Sequence, residues 1–167
     1  MKHINHWRVS VGNKNINDQY WMQIAIDTSS ASTCRAKVGC VIVKNRQIFA
    51  QGFVGSIPGD SHCTDVGCLL LDNHGLKGST DQGVSCERSV HAEQNAVLRC
   101  SVRGSEANGW LEAYCTHKPC LNCFKLLLSI GVRKFVYLHD YKDLYRDEYI
   151  DKLSSSILMK LDFYRRG

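Results

Sequence analysis

With 167 residues, 44% of them hydrophobic and 22% charged, the chain has the composition of one globular domain with one core, which excludes a disordered or fibrous protein. A formal net charge of +5, spread without a block of like charges, is compatible with a phosphorylated substrate and does not call for a nucleic acid polymer. Residues 1–17 read as a polar extension carrying Lys2, His3, His6, Arg8 and Lys14. They lack the apolar stretch of a secretory signal, so a cytoplasmic location and no membrane partner are expected. Nine cysteines cannot all pair within one chain, and in a cytosolic protein they point to metal or catalysis before disulfides.

Asp18 to Thr28 places apolar residues at 20, 21, 24, 25 and 28, which predicts a helix behind an acidic first turn. Val38 to Lys44 and Gln47 to Phe53 are β-branched and aromatic runs separated by Asn45 and Arg46, the pattern of a hairpin. Residues 54–88 form an irregular, glycine-rich insertion with three cysteines, a length of loop that is normally functional or held by something. Beyond it the pattern predicts a helix from His91 to Cys100, a strand from Leu111 to Thr116, a helix from Cys120 to Ile130 and a strand from Lys134 to Leu138. A helix within Leu144 to Ser155 and a last strand near Ile157 to Phe163 follow. Strands alternating with helices imply an α/β domain spanning 1–167, its largely parallel sheet covered by helices and opened by an antiparallel hairpin.

His91-Ala92-Glu93 begins one predicted helix and Pro119-Cys120-Leu121-Asn122-Cys123 another. Cysteines three apart at a helix start lie on one side of the turn, and proline suits a first turn because its missing N–H has no partner there. One His nitrogen and two thiolates make three ligands for Zn²⁺ and leave the fourth tetrahedral position for water, as in catalytic rather than structural sites. The ion brings the pKa of that water toward neutrality. Glu93 is then positioned to take its proton, pass it to a ring nitrogen and help an amine leave. Two helix N-termini favour the negative charge of thiolates and hydroxide. A lone CxxC is equally half a structural zinc site or a redox pair, and a lone HxE means less. Together, in this order, they resemble the zinc-deaminase signature H-x-E followed by P-C-x-x-C.

The runs VGCVIVK (38–44), GFVGSIPG (52–59), HCTDVGCL (62–69), CERSVHAEQNA (86–96) and YCTHKPCLNC (114–123) further resemble the deoxycytidylate (dCMP) deaminases over roughly residues 18 to 163. The resemblance implies conversion of dCMP and water to dUMP and ammonia, feeding thymidylate synthesis. It implies a three-layer α/β/α cytidine-deaminase-like fold with a mixed five-stranded sheet and an N-terminal antiparallel hairpin. A homohexamer activated by dCTP with Mg²⁺ and inhibited by dTTP is implied as well. Carried over, His91, Cys120 and Cys123 match the zinc ligands and Glu93 the acid/base. Ala92, Glu93 and the carbonyl of Lys118 match positions gripping the pyrimidine edge, and Tyr141 an aromatic closing over the pocket, although an exposed Tyr after a strand is the plain alternative. The family usually reads Gly-Tyr-Asn-Gly after the second strand, whereas here Val54 replaces the Asn, removing a side chain expected to bond nucleotide.

Some members of that family hold a second, structural zinc, which would fall to Cys34, Cys63, Cys68 and Cys86, with His62 the substitute for any one of them. Such an ion would order a stretch that apolar burial cannot. Cys40, Cys100 and Cys115, in periodic apolar segments, read as reduced buried cysteines. The competing functions are deamination of free cytidine, deamination of tRNA adenosine or single-stranded DNA, polynucleotides for which no basic cluster stands out, and a non-catalytic zinc-binding module, in which Glu93 has no use.

Overall fold

The computed structural model describes residues 14–71, 86–100, 111–140, 148–150 and 152. Helix α1 spans Lys14–Ser29, four residues earlier than the pattern indicates. Asp18 is therefore not an acidic first-turn residue. The inward face is Asp18, Trp21, Met22, Ala25 and Ser29, a 3.6-residue stripe, while Tyr20, expected on it, is 58% exposed. Asp18 is buried because it has partners: Tyr114 Oη donates to Asp18 Oδ1 at 2.7 Å, and Lys134 Nζ lies 2.5 Å from the same oxygen. Lys134 also reaches Glu112 at 3.1 Å. Burial and the two carboxylates push the Tyr114 hydroxyl far above its ordinary value, so it stays a neutral donor that fastens α1 to the sheet.

Strands β1 (Gly39–Lys44) and β2 (Gln47–Phe53) pair antiparallel across Asn45 and Arg46. Both turn residues have positive φ, 50° and 63°, as a two-residue turn matching strand twist requires. Asn tolerates this region and Arg does not. Arg46→Gly should raise stability by about 0.5 to 1 kcal/mol in denaturant unfolding.

The insertion contains more order than its composition suggests. The two-residue strand β3 (Gly55–Ser56) pairs antiparallel with β4 (Ser89–Val90), and between them lie the single-turn helix α2 (Cys63–Val66) and a bridge joining Leu70 to Cys86. Helix α3 (Ala92–Leu98), strand β5 (Leu111–His117), helix α4 (Leu121–Ser129) and strand β6 (Val132–His139) follow. Residues 148–150 and 152 are helical. The expected last strand, the remainder of the helix within 144–155, the fifth strand of the sheet and most of the N-terminal extension lie outside the described residues.

Among the described residues the main sheet has the order β2-β1-β5-β6. β1 pairs antiparallel with both β2 and β5, and β5 pairs parallel with β6. β2, β5 and β6 thus run the same way, but β1 sits between β2 and β5 and opposes both. The described sheet is mixed, as the resemblance implies; the alternation of strands and helices alone suggests a largely parallel one, but the α3 crossover passes over β1 instead of joining neighbouring strands.

Strand alternation divides the core into two layers. Cys40, Ile42, Ala113, Cys115 and Phe135 face Ala92, Ala96, Phe124 and Leu127 of α3 and α4. Val41, Val43, Tyr114 and Val136 face Trp21, Met22 and Ala25 of α1. The result is an α/β/α sandwich. Gly52 lets α3 lie directly on β2: a Cβ there would stand 2.3 Å from both Ala92 O and Ala96 N, backbone atoms that cannot give way singly. Gly52→Ala should cost more than about 2 kcal/mol by displacing α3, and urea unfolding would measure it. Among the described residues no helix is long and apolar enough to cross a membrane.

Candidate active site

The two helices of one layer deliver the site. His91 is the N-cap residue of α3 and Cys120 that of α4, so both side chains stand at helix N-termini where backbone N–H groups point outward. Pro119 lies one residue outside the cap and not within the first turn. There it holds Lys118 extended as β5 leaves the sheet. The Cys120 and Cys123 sulfurs are 3.7 and 3.4 Å from His91 Nδ1, and the three ligand atoms all lie within 4.8 Å of one another.

Electrostatics favour a cation at this point. Cys120 is lowered to about 3, chiefly by its hydrogen bond with Cys123 and despite burial, with His91 contributing further. Cys123 is driven far above the thiol range by Cys120 and by burial. The pair without an ion therefore holds one negative charge and resists a second, a cost that a dication removes. A nitrogen and two sulfurs at this spacing suit zinc.

Glu93, in the first turn of α3, is 4% exposed. Burial raises its carboxyl above the usual range, against the opposing pull of its own backbone N–H and of His91. A carboxyl with raised affinity for protons beside a metal donor set is the arrangement proton transfer needs.

Local bonds fix this geometry. Gln94 Oε1 accepts from His91 N at 2.9 Å, the reciprocal partner of a helix cap, and Asn95 Nδ2 donates to Phe53 O at 2.8 Å, tying α3 to the end of β2. The sequence reading missed both. The spacing of Gln94 three residues after the cap was a usable signal, whereas the contact of Asn95 across the fold had none. Ala92 is buried under the site and Lys118 N donates to His139 O at 2.8 Å. Tyr141 lies outside the described residues.

A second cluster forms in the insertion. The sulfurs of Cys34, Cys63 and Cys68 lie within 4.8 Å of one another, and Cys86 Sγ is 3.6 Å from Cys63 Sγ. Burial and the Cys86 hydrogen bond push Cys63 up to about 12. Cys86 is lowered: burial opposes this, and the backbone N–H groups of Arg88 and Leu69 together with the Cys63 and Cys68 thiols outweigh it. His62 points elsewhere, its Nδ1 2.9 Å from Thr33 Oγ1. Val54 packs among Cys34 and Cys63, so this position is part of the apolar wall around the sulfurs.

Fold and centre together define an α/β/α domain with a His–Cys–Cys donor set and a buried carboxyl at two converging helix N-termini. A family model described as the cytidine and deoxycytidylate deaminase zinc-binding region matches residues 15–139. The chain belongs to this family. It is 40% identical over 126 residues to ComE operon protein 2 of Bacillus subtilis, a match covering 75% of this chain and 60% of that protein, less than two thirds of its length. It is 33% identical to the deoxycytidylate deaminase of Mycobacterium phage D29 over 72% of this chain and 92% of that one. The solved dCMP deaminase of cyanophage S-TIM5, in complex with dCMP and dUMP, superposes with a TM-score of 0.61 at 27% identity, covering 91% of this chain and 98% of that one.

Proposed function

We propose that the chain hydrolyses dCMP to dUMP and ammonia, with zinc held by His91, Cys120 and Cys123 and with Glu93 moving the protons. The observation that carries this is the buried Glu93 carboxyl beside the three donors, because a structural metal site has no use for it. The likeness to deoxycytidylate deaminases supports the substrate. When bound there, zinc would supply a water molecule activated for attack on C4 of the pyrimidine. Glu93 would accept one proton from that water and deliver it to ring N3, then take the remaining proton from the new C4 hydroxyl and pass it to the exocyclic amine as the C4–N bond breaks and the C4 carbonyl forms. Backbone groups at Ala92 and Glu93 and the carbonyl of Lys118 orient the pyrimidine edge.

In the same reading Cys34, Cys63, Cys68 and Cys86 hold a second, structural zinc; the grouping of the first three sulfurs within 4.8 Å of one another, with Cys86 3.6 Å from Cys63, supports it. The product dUMP supplies thymidylate synthesis, and the enzyme works as a homohexamer that responds to dCTP with Mg²⁺ and to dTTP. Ammonia release from dCMP, CMP, dCTP and deoxycytidine, each with and without dCTP or dTTP, tests the assignment. Activity confined to deoxycytidine would overturn the nucleotide substrate, and indifference to both triphosphates would overturn the regulation.

A further inference from the structure

The C-terminal ends of β5 and β6 carry one histidine each, and the ladder places them opposite each other as His117 and His139. Their rings stand 4.9 Å apart between centroids at 45°. Both side chains project to the α3/α4 side of the sheet: His117 lies two residues beyond Cys115, and His139 four beyond Phe135, both core residues of that layer. Their strand neighbours Val136 and Leu138 belong to the opposite layer. The metal-type centre is close at hand, since Cys120 follows His117 by three residues and both Glu93 and Cys123 act electrostatically on Cys115. The Lys118 N–H bond to His139 O fixes the two strand ends together. In open α/β sheets ligands bind outside the carboxyl ends of codirectional strands, and here β2, β5 and β6 all end on this edge.

Gly39 N donates to Thr116 Oγ1 at 3.1 Å, and the same hydroxyl lies 3.2 Å from His117 Nδ1, so Nδ1 is engaged within the fold and Nε2 is the ring nitrogen turned to a ligand. His117 is half-buried and His139 exposed. Burial and His139 hold His117 below its ordinary value. Two imidazoles of this kind are unused by the deamination chemistry, and they are flanked by Lys118 on one strand end and Asp140 on the other.

We infer that His117 and His139 form the subsite that grips the 5′-phosphate of a nucleoside monophosphate while its pyrimidine occupies the centre. The inference rests on the nucleotide reading proposed above. Two rings side by side offer two ring N–H donors to one phosphate, charge-assisted bonds of the strong kind, and so select nucleotide over nucleoside.

The zinc-loaded wild type, His117→Gln and His139→Gln are compared on dCMP and deoxycytidine. Each substitution should raise KM for dCMP at least about tenfold, with kcat changed less than about threefold, and should lower the preference for dCMP over deoxycytidine by a similar factor. In the wild type, titration with inorganic phosphate should shift the imidazole NMR signals of both residues. Loss of kcat with zinc, equal losses on both substrates, or unchanged KM would overturn the subsite. If dCMP is not a substrate at all, the proposed function fails by itself and the titration decides: shifted imidazole signals uphold a phosphate site, and unmoved signals overturn it.

Discussion

Glu93→Gln lowers kcat on dCMP by about 10³-fold or more while zinc content stays unchanged. The substitution preserves volume in a site where Glu93 is 4% exposed and removes only the ability to exchange a proton. Burial has already raised the proton affinity of this carboxyl, so the wild type can bind and release a proton under conditions where an exposed glutamate would stay ionised. General acid–base catalysis contributes about 10² to 10⁴, and in the proposed mechanism Glu93 serves more than one proton transfer per turnover. Steady-state kinetics with metal analysis of the same sample checks the result. Near-normal turnover with zinc bound would remove Glu93 from the mechanism.

Cys63→Ser takes away about one zinc per chain and lowers the thermal midpoint by roughly 10 °C or more, at about 2–4 °C per kcal/mol for a chain of this size. Cys63 touches Cys86 and shares a cluster with Cys34 and Cys68, so it joins the segment before β1, helix α2 and the segment that leads to His91. Among the described residues the aliphatic side chains packed around it are Val38 and Val54, while Ile57, Val66 and Leu69 are exposed. Elemental analysis and a melting curve read both effects. A wild type holding about one zinc, with the substitution changing neither quantity, would show the sulfurs to be ordinary reduced thiols.

The convergence of His91, Cys120 and Cys123 was legible because ligand spacing at a helix start is a local property, and so was the existence of the long helices and strands. What escaped was set by partners distant in sequence. Asp18 reads as a solvated first-turn acid until Tyr114 and Lys134 arrive from 96 and 116 residues away. Tyr20 fits an apolar stripe that begins one residue off, since the buried face is organised around Asp18. The strands β3 and β4 are two residues each, too short for any periodicity, and they exist because Cys86 and α2 hold the chain there. The place of β1 between β2 and β5 is a matter of which edge a crossover reaches, on which alternation of helix and strand is silent.

That placement of β1 governs how the chain emerges from synthesis. The hairpin with β2 closes locally, but the other edge of β1 waits for β5, with Cys40 and Cys115 separated by 75 positions. During that wait the uncharged run Gly39 to Val43, entirely buried in the finished sheet, offers an open strand edge of the kind that seeds aggregation. Lys37 and Lys44 stand on either side of it, charges placed where gatekeeper residues restrain such pairing between nascent chains.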